Sequence, residues 1–211
     1  MAKLKIDCII GIDCGKQGAI STWRPNNPVV VKKMPENIHE LSGYFQHIKD
    51  ICQCPIIFIE KVQLQHRDMS GGKAFRMQPL FEGFTSVKLL IEQSKIPFIM
   101  VNPMKWQAGL KIRLKEEDSD AVNTIVDRIV AKRRQERKVY NLEELRESAI
   151  KTVRKNRYVA IAQKYYPEVK ATLWNSDALL ICHFGRFMNF TNPEWIIENL
   201  PKYLHNEILF E

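Results

Sequence analysis

Two apolar segments that each run straight into a carboxylate constrain this chain more than any other feature. The stretch from Ile6 to Ile12 is mostly apolar and stops at Asp13, and Ile56-Ile-Phe-Ile59 stops at Glu60. Short apolar runs bounded by turn residues read as buried strands, and Cys54-Pro55 supplies the break before the second. Two neighbouring parallel strands would carry both acids to one edge of a sheet, the edge where α/β proteins build their sites. Just past Asp13, Gly15 marks a tight turn, and Gly18-Ala-Ile-Ser-Thr-Trp23 returns as a hairpin partner.

A third acid lies far along the chain. Asn175-Ser-Asp-Ala-Leu-Leu-Ile-Cys-His183 reads as a helix with Asn175 at its N-cap and Asp177 in its first turn. Trp174 and Leu179 then take the places of a hydrophobic staple. Taken singly, Asp13 fits a structural turn, and Asp177 fits a helix dipole at about 0.3–1 kcal/mol. Taken as a set, Asp13, Glu60 and Asp177 suit a metal site. Hydrolysis of a phosphodiester builds charge on the attacking and leaving oxygens, and two hard cations held by clustered carboxylates offset it. Such cations select oxygen ligands, not thiols. The five cysteines show no paired zinc spacing: Cys52 and Cys54 form Cys-x-Cys, while Cys8, Cys14 and Cys182 lie in or beside apolar runs. With no secretory segment, an odd cysteine count suits reduced thiols in a soluble intracellular protein, cytoplasmic or nucleoid-associated, of cellular, organelle or viral origin.

The pattern Gly11-Ile-Asp13-x-Gly15-x-x-Gly18-Ala-Ile, then Phe58-Ile-Glu60, then Asp177-Ala-Leu-Leu-Ile181 resembles the RuvC-like Holliday-junction resolvases of the RNase H-like superfamily. Gly71-Gly-Lys-Ala-Phe75, Phe81-Glu-Gly-Phe84, Ile96-Pro-Phe-Ile-Met-Val-Asn-Pro103 and Lys105-Trp-Gln107 are similar to the phage-type and chloroplast-type branch. Lys155 to Pro167 resembles that branch's next helix. The match covers roughly residues 5–110 and 155–188. It implies an RNase H-like mixed five-stranded α/β sheet with helices on both faces. It also implies a crossover junction endonuclease that uses Mg2+, or Mn2+, held by Asp13, Glu60 and Asp177, and acts on four-way DNA junctions as a homodimer. One position departs from the family, whose members usually carry a fourth acid or a histidine near the third. One turn before Asp177 stands Trp174, which cannot ligate; His183 lies about 240° round the helix. Glu168 is the nearest upstream acid.

The formal net charge of +8 favours a polyanionic partner, and no run of 18 apolar residues suggests a membrane span. With 211 residues, 45% hydrophobic, one core is the natural count: a single nuclease domain over 1–211 with a charged helical insertion at about 111–154. Strands are expected near 6–13, 17–24, 28–34, 56–60 and 96–101. Helices are expected at about 36–52 and 78–94, the second with Pro79 in its first turn. A loop is expected from Lys61 to Lys73.

Residues 111–154 contain no Gly or Pro. Val122, Ile125, Val126, Ile129 and Val130, and again Leu142, Leu145, Ala149, Ile150 and Val153, recur at helical spacing, as two helices joined near 139–141 would require. The cluster Lys132-Arg-Arg-Gln-Glu-Arg-Lys138 is a solvated face, a DNA arm or part of a dimer element. Candidate phosphate contacts are Lys16, Lys61, Arg67, Lys73, Lys105, Lys132, Arg133 and Arg134, with His66 beside them. Leu64, Met69 and Phe75 are candidate wedges at an opened crossover. The expected helix at 78–94 offers Phe81, Phe84, Val87, Leu90 and Ile91 as a dimer stripe. Two rivals remain. One is a non-catalytic branched-DNA-binding module. The other is a fragment of a sugar-kinase or actin-like ATPase, whose first phosphate loop also reads Gly-Ile-Asp-x-Gly.

Overall fold

The computed structural model describes residues 5–15, 17–62 and 73–207. Five strands form one sheet: β1 (Cys8–Asp13), β2 (Ala19–Trp23), β3 (Val30–Lys33), β4 (Pro55–Glu60) and β5 (Phe98–Val101), in the order β3-β2-β1-β4-β5. β1 pairs antiparallel with β2, and β2 with β3; β1 and β4, and β4 and β5, run parallel. This is the mixed α/β sheet expected from the sequence, with each strand edge within about two residues of its predicted place.

Side chains on a strand alternate between faces, and here both faces are buried. Cys8, Ile10, Ile12, Ile57 and Ile59 face α1 (Ile38–Ile51) and α2 (Lys73–Ser94), meeting Leu41, Phe45, Ile48, Val87 and Ile91. Ile9, Ile56, Phe58, Ile99 and Val101 face the opposite layer. That layer holds α3 (Pro103–Gly109), α5 (Leu142–Tyr165), α6 (Ser176–Thr191) and α7 (Pro193–Asn199), which contribute Trp106, Tyr158, Leu179 to Cys182, Phe184 and Ile196. Double-sided burial explains why β1 and β4 are nearly continuous apolar runs and show no alternation.

Three expectations need correction. First, α2 starts at Lys73, so Pro79 lies inside the helix and not in its first turn. Lys73-Ala-Phe-Arg-Met-Gln78 is rich in strong helix formers, which carry the helix upstream past the single backbone bond that proline forfeits. Second, the stripe on α2 proposed as a dimer face covers the chain's own sheet. Val87 and Ile91 are buried in that core, and Phe84 and Leu90 pack against it. The sheet's second face needed a cover, and this stripe supplies it. Third, and for the side chain only, Asn175 holds the N-cap position of α6 as expected but makes no side-chain capping bond. Its Oδ1 instead accepts from the Thr172 N–H at 2.7 Å, and its Nδ2 donates to the Lys170 carbonyl at 3.1 Å.

The charged segment forms α4 (Ser119–Gln135), which packs on α5 through Val122, Val126 and Ala149, with Ile125, Val130 and Val153 around them. The turn between them closes α4 with a Schellman motif: Lys138 N–H donates to Arg133 O at 2.9 Å and Arg137 N–H to Arg134 O at 3.1 Å. Arg137 sits at φ 51°, where glycine is usual. Asn141 caps α5 by accepting from Glu143 N–H at 3.0 Å. The helix then runs unbroken for 24 residues, so the hairpin's second arm and the helix beginning near Lys155 are one element.

Candidate active site

Strand parity places the acids. β1 and β4 pair in register through Ile12 and Ile59, so the next step sets Asp13 beside Glu60 at the carboxyl edge of two parallel strands. Asp13 shares a face with Ile9 and Gly11, and Glu60 with Ile56 and Phe58. That is the face covered by α6, whose first turn carries Asp177.

Close packing of α6 on the sheet holds this arrangement. A Cβ on Gly11 would stand 2.8 Å from the Cβ of Cys182, and nearer still to the Ala178 carbonyl and the Cys182 amide. A Cβ on Gly185 would meet the Phe58 ring at 2.7 Å and Ile9 Cγ2 at 2.9 Å. Both glycines therefore mark places where any side chain would push α6 and Asp177 off the strand. The buried hydroxyl of Ser21, on β2, donates to the Ala178 carbonyl at 2.6 Å, tying down the turn of α6 that carries Asp177. Asp13 is steadied from its own side, its Oδ1 accepting from Gly15 N–H at 3.0 Å.

The acids feel one another's charge. Burial raises the Asp13 carboxyl above the ordinary range and Asp177 adds to the rise; Gly15 N–H and Lys155 oppose it. Glu60 is pushed up to about 8, mainly by burial, then by Asp13 and Asp177, with Lys155 and Trp106 opposing. Trp106 is buried, and its indole N–H, which meets no full hydrogen-bond geometry among the described residues, lies near enough to Glu60 to favour the charged form. Lys155, from the middle of α5, forms an ion pair with Asp177 Oδ2. The donor set, all carboxylate oxygen, has the chemistry that a hard dication selects. Among the described residues, however, no three His, Cys, Asp or Glu side chains stand close enough together to enclose one metal ion. The acids converge electrostatically without forming a closed cage, and an ammonium already neutralises one of them.

Lys155 and Trp106 were not singled out from the sequence. Both lie in segments that carry the family resemblance, but no site role was assigned to either: nothing in the spacing of a charged helix marks one lysine among several, and Trp106 entered only as part of a motif. His183 faces away from the acids, as its helical angle implied. It stacks on Tyr165 at 3.7 Å between ring centroids, and burial and Arg186 lower its pKa to about 4. Glu168 is exposed and is not among the charges that shift Asp13 or Glu60.

Among the candidate DNA contacts, Lys61 is exposed directly after Glu60, and Lys105 lies over the Trp195 ring at 5.9 Å. Arg133 and Arg134 are partly engaged in the hairpin turn, donating to Val139 O and to the Tyr140 hydroxyl, each at 3.2 Å. Glu136 pairs with Lys138 at 2.8 Å and, at 4.0 Å, with Lys132. Lys16, His66, Arg67, Leu64 and Met69 lie outside the described residues, as do the side chains of Lys73 and Phe75. Among the described residues no helix is long and apolar enough to cross a membrane.

No protein-family model and no curated protein matches the chain. Among solved structures it is similar to T. thermophilus RuvC in complex with a Holliday junction substrate, with a TM-score of 0.46 at 9% identity over 88% of this chain and 96% of that one. It is also similar to a second Thermus thermophilus RuvC structure, with a TM-score of 0.45 at 10% identity over 86% and 94%.

Proposed function

We propose that this chain is a structure-selective endonuclease that resolves four-way DNA junctions by hydrolysing phosphodiesters in paired, symmetric nicks. The observation that carries the proposal is the convergence of Asp13, Glu60 and Asp177, from two strands and a helix, at one sheet edge with Lys155 among them. The resemblance of the sequence motifs to the phage-type and chloroplast-type resolvases supports it, as does the basic balance of the chain.

Asp13, Glu60 and Asp177 would hold Mg2+ or Mn2+, which when bound supplies the positive charge that offsets the attacking and departing oxygens. The chain's own residues do the rest. The Gly15 N–H and Ser21 fix the positions of Asp13 and of the first turn of α6. Lys155 exchanges its hold on Asp177 for a phosphate oxygen when DNA arrives, which also frees Asp177 Oδ2. The Trp106 N–H favours the ionised form of Glu60. Lys61 and Lys105, just past β4 and β5, contact the flanking phosphates. Two cuts placed symmetrically on a four-way junction require two sites, which a C2 dimer provides.

The test is a nicking assay on a synthetic four-way junction with and without Mg2+. Paired nicks that need the metal uphold the proposal. Junction binding without cleavage selects the non-catalytic module, in which the Lys155–Asp177 ion pair would persist. ATP turnover without cleavage selects the kinase-like alternative.

A further inference from the structure

Beside Asp13 the molecule opens a cavity of about 600 Å3. The Asp13 turn, with Gly15 and Gly18, lines one side and Lys155 another, while the remaining wall is Thr172-Leu173-Trp174. That wall is chemically out of keeping with its neighbours. Leu173 is 61% exposed next to an acid and an ammonium, and the Trp174 indole is half-buried. A lysine suits phosphate, and carboxylates suit a hard cation; a leucine and an indole suit neither.

The wall is also rigidly mounted. Asn175, 2% exposed, clamps the turn through its bonds to Thr172 N–H and Lys170 O. Ser176 N–H donates back to the Thr172 carbonyl at 3.0 Å. The aromatic wall and the acid Asp177 therefore belong to one fixed element. The Thr172 hydroxyl is buried and finds no hydrogen-bond partner among the described residues, which is unusual for a buried polar group.

We propose that Leu173 and Trp174 form a nucleobase platform, on which the base adjoining the cut phosphate stacks while that phosphate lies against Lys155 and the acids. The proposal rests on the endonuclease activity proposed above and gives it a substrate class. Stacking on an aromatic face tolerates any base, but the base must first leave its own stack. A nucleotide at a branch point meets that condition more readily than one inside a continuous duplex.

The experiment uses the full chain and four-way junctions carrying either an abasic site or 2-aminopurine at the nucleotide next to the cut. Trp174→Ala should lower kcat/KM on the intact junction roughly five- to 150-fold, the range for stacking one base on an aromatic ring. Trp174→Phe should recover most of that loss. The abasic junction should cost the wild-type protein a similar factor and cost Trp174→Ala nothing further. Wild-type protein should also alter 2-aminopurine fluorescence at that position, and Trp174→Ala should not. Normal cleavage by Trp174→Ala, or losses from variant and abasic site that multiply independently, would overturn the platform. If wild-type protein cuts no junction, the endonuclease proposal fails by itself. The fluorescence arm then decides the platform, which stands if the change depends on Trp174 and falls if it does not.

Discussion

Replacing Glu60 by glutamine should stabilise the metal-free protein at alkaline pH. Glu60 is held at about 8 by burial and by Asp13 and Asp177, against an ordinary value of 4.5. Below the ordinary value the carboxyl is protonated in both folded and unfolded chains, and the site is without penalty. Between 4.5 and about 8 the unfolded chain releases the proton and the folded chain keeps it, so stability falls as pH rises. Above about 8 both states are ionised and the full penalty is present. A rise of 3.5 units (8 minus 4.5) sets a ceiling of about 5 kcal/mol. Because Glu60 is only partly buried, roughly 2–4 kcal/mol is the expected size. Glutamine keeps the shape and removes the charge. In EDTA at pH 8.5, Glu60→Gln should resist urea by that margin over the wild type, and the two should converge near pH 4. A chain of this length would show the margin as about 4–15 °C in Tm. Mg2+ should stabilise the wild type and leave the variant nearly unmoved. Equal stabilities at pH 8.5 in EDTA would refute the claim that the acids are packed against one another's charge.

Gly11→Ala should cost about 1–3 kcal/mol of stability by forcing α6 off β1, and it should abolish cleavage even where the fold survives; urea titration and the nicking assay read the two effects. Arg137→Gly should raise stability by roughly 0.5–1 kcal/mol, because it relieves a left-handed residue at the end of α4, and thermal unfolding checks this. Neutralising Lys132, Arg133, Arg134, Arg137 and Lys138 together should weaken junction binding and lower the slope of log K against log salt by up to about 0.9 for each DNA phosphate the variant no longer neutralises. An unchanged slope would end the DNA-arm role of α4. A polar change at Ile129 that alters only the oligomeric state would point to a dimer element instead.

The strands and the acid positions were legible because burial on both faces leaves a plain signature: Ile56-Ile-Phe-Ile and Ile9-Ile have no polar interruption, so the carboxylate ending each run stands out. Neighbouring parallel strands then carried both acids to one sheet edge, while the register that sets Asp13 beside Glu60 on one face came only from the structure. Asp177 was legible as a first-turn residue, but its nearness to Asp13 was not, since it depends on Gly11 and Gly185 allowing α6 to lie close over the sheet. The α2 stripe misled because an apolar helix face looks the same whether it covers its own sheet or a second chain. Asn175 was placed correctly at the N-cap, but its bonding was not legible, because an asparagine there can bond forward to the helix or backward to its own turn, and the sequence does not distinguish the two. Lys155 was hidden because a lysine in a charged helix takes its meaning from the residue it reaches.

The most direct test of the central claim compares wild-type protein with Asp13→Asn on a labelled four-way junction, measuring cleavage and binding in the same Mg2+ buffer. Asn keeps the Gly15 hydrogen bond but removes a charge from the acid cluster. The wild type should make paired nicks and Asp13→Asn none, while the variant should bind the junction equally or more tightly because repulsion from phosphate is reduced. Cleavage by Asp13→Asn at the wild-type rate would contradict this.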